Sequence, residues 1–188
     1  PELIVSCDQG DLSNPVWLKN GNIVALNQQG ARWSIVKFMP GAPTFVPLYT
    51  SNDKNYYHLV YLPNAEQLIA LAINSSNEHI IDVISVQGEL LSSHVIERPE
   101  SIAPYKMLTP IIDPQQEQLL FSTGQRLFSL SYTGDIRQIS TLNHNNLSRI
   151  KMNKTGEEIV SVQGMVDTDI AKVSLNNLSL DTENHSQR

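Results

Sequence analysis

Cysteine is almost missing from this chain: Cys7 is the only one among 188 residues. One thiol closes no internal disulfide and makes no zinc site by itself. Cys7 follows Leu3-Ile4-Val5 and reads as a small apolar filler. Long apolar runs are missing too. The longest, residues 68–73, has strand length, far short of the roughly 18–20 residues that span a bilayer. Charge is sparse at 17%, against about 25% in ordinary soluble domains. The net charge is −6, and Arg149-Ile150-Lys151 with Lys154 is the densest basic stretch. A phosphate backbone needs clustered Lys and Arg, so nucleic-acid contact by this segment is excluded.

The motifs of common catalysis are also lacking. No two of the five histidines (His58, His79, His94, His144, His185) stand at a metal-ligand spacing. Asp8 and Asp11 flank Gln9-Gly10 without the alternating carboxylates of a calcium loop. There is no Gly-x-Ser-x-Gly elbow and no phosphate-cradling glycine loop. The expectation is a protein without catalytic residues, metal or cofactor.

What the chain has is a repeat. A β-like run, a polar turn and an apolar run recur four times. The apolar runs begin at Ile23, Leu68, Leu119 and Ile159, spaced by 45, 51 and 40 residues. A turn residue after the third strand of each repeat falls at Gly41, Gly88, Gly134 and Asn177, spaced by 47, 46 and 43. A four-stranded propeller blade needs roughly 40–50 residues.

Strand patterning agrees. Phe128, Leu130 and Tyr132 alternate with Ser129 and Ser131, and Ala171, Val173 and Leu175 with Lys172 and Ser174. The second strands, near 23–27, 67–73, 118–123 and 158–163, are continuously apolar, as expected where both faces are covered; they should be the most buried segments. The fourth strands, 44–48, 90–96 and 136–141, are more polar and suit an outer edge. The fold expected is all-β: a β-propeller of about four four-stranded antiparallel blades, near residues 12–50, 56–97, 105–142 and 148–180, with 181–188 a frayed tail.

Two endings stay open. Residues 2–6 read either as the outer strand of a missing blade or as a clasp that completes the fourth blade, whose own outer strand at 178–180 is short. A fragment would be part of a larger or dimer-completed ring, and a homodimer follows from it.

The repeats resemble those of TolB-type propellers, in which a strand, a Ser-Pro-Asp-Gly-Lys-like turn and an apolar strand follow one another. Here the turn stands as Leu62-Pro63-Asn64-Ala65-Glu66, Asp113-Pro114-Gln115-Gln116-Glu117 and Asn153-Lys154-Thr155-Gly156-Glu157, shortened to Lys19-Asn20-Gly21-Asn22 in the first copy. Each copy is degenerate. The Asn, Gln and Ser richness is similar to the periplasmic propellers of CadC-like membrane-spanning transcriptional regulators. That resemblance implies a non-catalytic sensor of a protein or small ligand, held in the periplasm by a membrane segment outside this chain. The alternative is an accessory propeller of a prolyl-oligopeptidase-like hydrolase with its catalytic domain elsewhere.

The ligand or partner surface expected is an aromatic and histidine group in connections between an outer strand and the next inner strand: Tyr56, Tyr57, His58, Tyr105 and His144. Tyrosine joins an apolar ring to a hydroxyl, which suits recognition. Histidine titrates near neutrality.

Overall fold

The computed structural model describes residues 10–42, 44–99, 102, 110–113, 117–123, 126–141, 146–153, 155–164 and 168–174. The expectations for residues 2–6, Cys7, Tyr105, His144, Asn177, 178–180 and the tail lie outside these.

The described chain is all-β, built from antiparallel sheets whose strands follow chain order. The first holds β1 (Asp11–Trp17), β2 (Ile23–Gln29), β3 (Arg32–Phe38) and β4 (Val46–Thr50). The second holds β5 (Lys54–Leu62), β6 (Gln67–Asn74), β7 (His79–Ser85) and β8 (Leu90–Val95). The third holds β9 (Ile111–Asp113), β10 (Gln118–Ser122), β11 (Arg126–Ser131) and β12 (Ile136–Thr141). The fourth shows β13 (Asn146–Met152), β14 (Glu158–Gly164) and β15 (Thr168–Ser174). Consecutive meanders of this kind are propeller blades. The chain divides into two compact units, one with the first two sheets and the turn Ser131–Asp135, the other with the rest.

The period of two explains the core of the first unit. Val24 and Leu26 on β2 point to one face, where Leu18 and Ile35 join them against Tyr56, Leu59, Leu68, Ala70, Ala72, Ile80 and Ile84 of the second sheet. Ile23 and Ala25 point the other way and cluster with Val36 and Phe38. A strand buried on both faces needs an unbroken apolar run, and β2 and β6 have one. In the second unit, Leu120, Leu127, Ile150 and Ile159 form the corresponding cluster.

Two details differ from the sequence reading. The most buried strand is β7, covered at all seven positions, because it lies inside its sheet with both faces packed; β6 emerges at Ile73 and Asn74. The three turn glycines are also not equivalent. The Gly88 and Gly134 amides donate to Ser85 O and Ser131 O, whereas in the first sheet the Ala42 amide donates to Met39 O, so Gly41 sits one residue early.

Gly88 and Gly134 hold φ of 97° and 96°. A Cβ on Gly88 would stand 2.2 Å from Leu48 O, and one on Gly134 2.3 Å from Val95 O. Each carbonyl belongs to the outer strand of the preceding sheet, so the glycine permits close backbone approach as well as the turn.

Candidate functional site

The strand β5 carries three of the expected site residues, Tyr56, Tyr57 and His58, inside its span rather than in a connection. Its pairing shows why they point differently. Tyr56 opposes Ala72 and His58 opposes Leu71, so Tyr57 is the extra residue of a bulge. A bulge re-aims side chains on a strand that would otherwise alternate.

Tyr56 points into the core between the first two sheets and is 1% exposed. Its hydroxyl donates to Asp82 Oδ2 at 2.6 Å. Lys54 Nζ donates to both carboxylate oxygens of Asp82 at 2.9 Å and to Ser93 Oγ at 2.9 Å. Asp82 is fully buried and the Lys54 side chain nearly so. The group spans β5, β7 and β8, and small residues permit it: Ala70 opposes Asp82 and Ala72 opposes Tyr56, leaving room to reach over β6. Tyr49 meets the Tyr56 ring edge-on at 6.2 Å. Burial, then the Asp82 hydrogen bond, pushes the Tyr56 hydroxyl far above the ordinary phenol range.

Asp82 replaces an apolar residue of the repeat. Ile23 pairs with Phe38 and Leu68 with Ile84; two residues on, Ala25 pairs with Val36 and Ala70 with Asp82. The carboxylate thus stands where the first sheet has Val36. A buried charge must be paired and hydrogen-bonded, and Lys54 and Tyr56 do both. The lone Asp inside Ile80-Ile81-Asp82-Val83-Ile84 was the readable signal; its partners, 26 and 28 residues upstream, were not.

Tyr57 is half-buried, and its hydroxyl lies 3.1 Å from His79 Nδ1. The two rings meet edge to face at 5.8 Å. Burial, then the Arg98 charge, lowers the His79 pKa, while burial raises that of Tyr57. Both shifts favour a neutral imidazole beside a protonated phenol, and the His79 tautomer sets which of the two donates. Asn14 Nδ2 donates to Tyr57 O at 3.2 Å, fixing the bulge to the first sheet. His58 is buried, at 8% exposure. The structure thus brings Tyr57 together with His79, which the sequence reading passed over, and commits Tyr56 to the core. Among the described residues no three His, Cys, Asp or Glu side chains converge as metal ligands. Nor, among them, is any helix long and apolar enough to cross a membrane.

Comparison with known proteins places the fold. No protein-family model matches the chain, and no curated protein matches its sequence. Solved structures do. TolB from Acinetobacter baumannii aligns with a TM-score of 0.62 at 11% identity, over 89% of this chain and 42% of its own. A gluconolactonase from Xanthomonas campestris aligns at 0.58 with 13% identity, over 83% and 55%. The Cps50 β-propeller domain of Myceliophteria thermophila aligns at 0.57 with 12% identity, over 89% and 57%. The chain spans about half the length of these proteins. At such identities the likeness establishes the fold alone: this is a partial β-propeller, and its solved neighbours include TolB. One fold carries many functions.

Proposed function

We propose that this chain is the recognition part of an extracytoplasmic bacterial regulator, a non-catalytic propeller that senses a protein or small ligand in the periplasm. The reading joins the resemblance to CadC-like regulators with one structural observation. The inner strand of the second sheet carries a half-buried Tyr57 whose hydroxyl is held against His79. The first strand of a blade borders the central channel of a propeller. There the phenol ring offers an apolar surface and the Tyr57–His79 pair offers polar contacts to a bound molecule. Tyr105 and His144, expected in the ligand surface from the sequence, lie outside the described residues.

The test is a thermal-shift screen of the purified chain against amino acids, amines, sugars and short peptides, repeated on Tyr57→Phe. That variant removes one hydroxyl and keeps the ring. A stabilising ligand whose effect is lost in Tyr57→Phe supports the reading. A ligand that stabilises both proteins equally removes Tyr57 from the site. Hydrolysis of generic esters, lactones or peptides by the purified chain overturns the non-catalytic assignment. A reporter fusion found on the cytoplasmic side overturns the compartment.

A further inference from the structure

Seven large apolar side chains of the described residues are exposed, and six lie in the first unit: Trp17, Met39, Val46, Leu90, Leu91 and Val95. They form two groups, one beside lysines and the other flanked by glutamates. Trp17 ends β1, Met39 follows β3 and Val46 opens β4, and the register puts all three at one end of the first sheet: Trp17 pairs with Ile23, Ile23 with Phe38, and Lys37 with Val46. Lys19 lies in the turn after Trp17, and Lys37 stands opposite Val46. Residues 12–52 contain Lys19, Arg32 and Lys37 and no acidic residue, in a chain of net charge −6.

The second group lies along β8. Leu90, Leu91 and Val95 are 41%, 49% and 48% exposed. Glu89 precedes them and Glu97 follows, both exposed, while the half-buried Arg98 beside Glu97 acts on His79. Lys19, Lys37, Glu89 and Glu97 enter no ion pair among the described residues, where Lys54–Asp82 is the only one.

We propose that these two surfaces dock on each other in a second copy of this chain. The occupant follows from complementarity. A basic surface carrying a tryptophan and a methionine calls for an acidic aliphatic one, and the chain presents that on the neighbouring sheet. A two-fold axis makes both contacts at once, the basic surface of each copy on the acidic surface of the other. Trp17 is the anchor, since a large aromatic at the centre of a contact contributes most to association. Local pairing of opposite charges offsets the repulsion between two copies of an acidic protein.

The test uses the full 188-residue chain in analytical ultracentrifugation with two variants. One carries Lys19→Glu and Lys37→Glu, the other Glu89→Lys and Glu97→Lys. The wild type is expected to be a dimer that salt weakens. Each variant alone is expected to be monomeric, because its two contacts now set like charges together. An equimolar mixture is expected to recover the dimer, because both contacts of the mixed pair are again opposite in sign. That recovery also proves both variants folded. A wild type that stays monomeric at its highest soluble concentration overturns the proposal. So does a dimer in either variant alone, or a mixture that stays monomeric.

Discussion

Lys54 Nζ lies 2.9 Å from each carboxylate oxygen of Asp82, and Asp82 has no exposed surface. Asp82 stands on the second sheet where the first sheet has the apolar Val36. Removing one partner strands a buried charge, which costs about 3–5 kcal/mol. Lys54→Met is therefore expected to lower unfolding stability by about 3 kcal/mol, the lower end because Lys54 retains some exposure. Asp82→Val joined to Lys54→Met removes the stranded charge but leaves the buried Tyr56 hydroxyl without its acceptor, so it is expected to recover only part of the loss. Urea unfolding of the two variants decides this; a double variant less stable than Lys54→Met alone contradicts it.

Gly88 and Gly21 separate two costs of adding a methyl group. Both hold positive φ, but a Cβ at Gly21 meets nothing within 4 Å, whereas one at Gly88 stands 2.2 Å from Leu48 O. Gly21→Ala is expected to cost about 1–2 kcal/mol from backbone strain alone. Gly88→Ala adds a backbone collision between sheets and is expected to cost clearly more. Equal midpoints in denaturant would show that the contact with Leu48 yields freely.

Glu66 holds φ of 52°, a left-handed conformation that a side chain with Cβ adopts at a cost. Glu66→Gly is expected to stabilise the chain by up to about 1 kcal/mol, reduced by the greater freedom of glycine in the unfolded chain. A calorimetric midpoint below that of the wild type would count against it.

His79 supplies a pH dependence. Its folded pKa is lowered by burial and by Arg98, so the unfolded chain takes up the proton first. Stability from this group is present above the unfolded value of about 6.5 and is lost as pH falls below it. Between about pH 7 and pH 5 the wild type is expected to lose more stability than His79→Gln. Parallel losses in the two proteins would show that His79 does not carry the effect.

Residue pattern alone determined the strands and their grouping. The second strands at 23–27, 67–73, 118–123 and 158–163 correspond to β2 (Ile23–Gln29), β6 (Gln67–Asn74), β10 (Gln118–Ser122) and β14 (Glu158–Gly164). Hydrophobic periodicity is local, and a strand covered on both faces announces itself by a continuous apolar run. The spacing of those runs made the chain a propeller because sheets of this length bury their faces only by stacking.

Tertiary structure alone decided what the polar residues do. Tyr56, Tyr57 and His58 are neighbours in sequence, yet one bulge sends Tyr56 into the core against Asp82 and turns Tyr57 toward His79. A bulge is set by the pairing of two strands and has no signature within one of them. The partners of Asp82 and Tyr57 lie 22 to 28 residues away. Such pairs meet only once the register is fixed, because a shift by one residue sends every side chain to the opposite face.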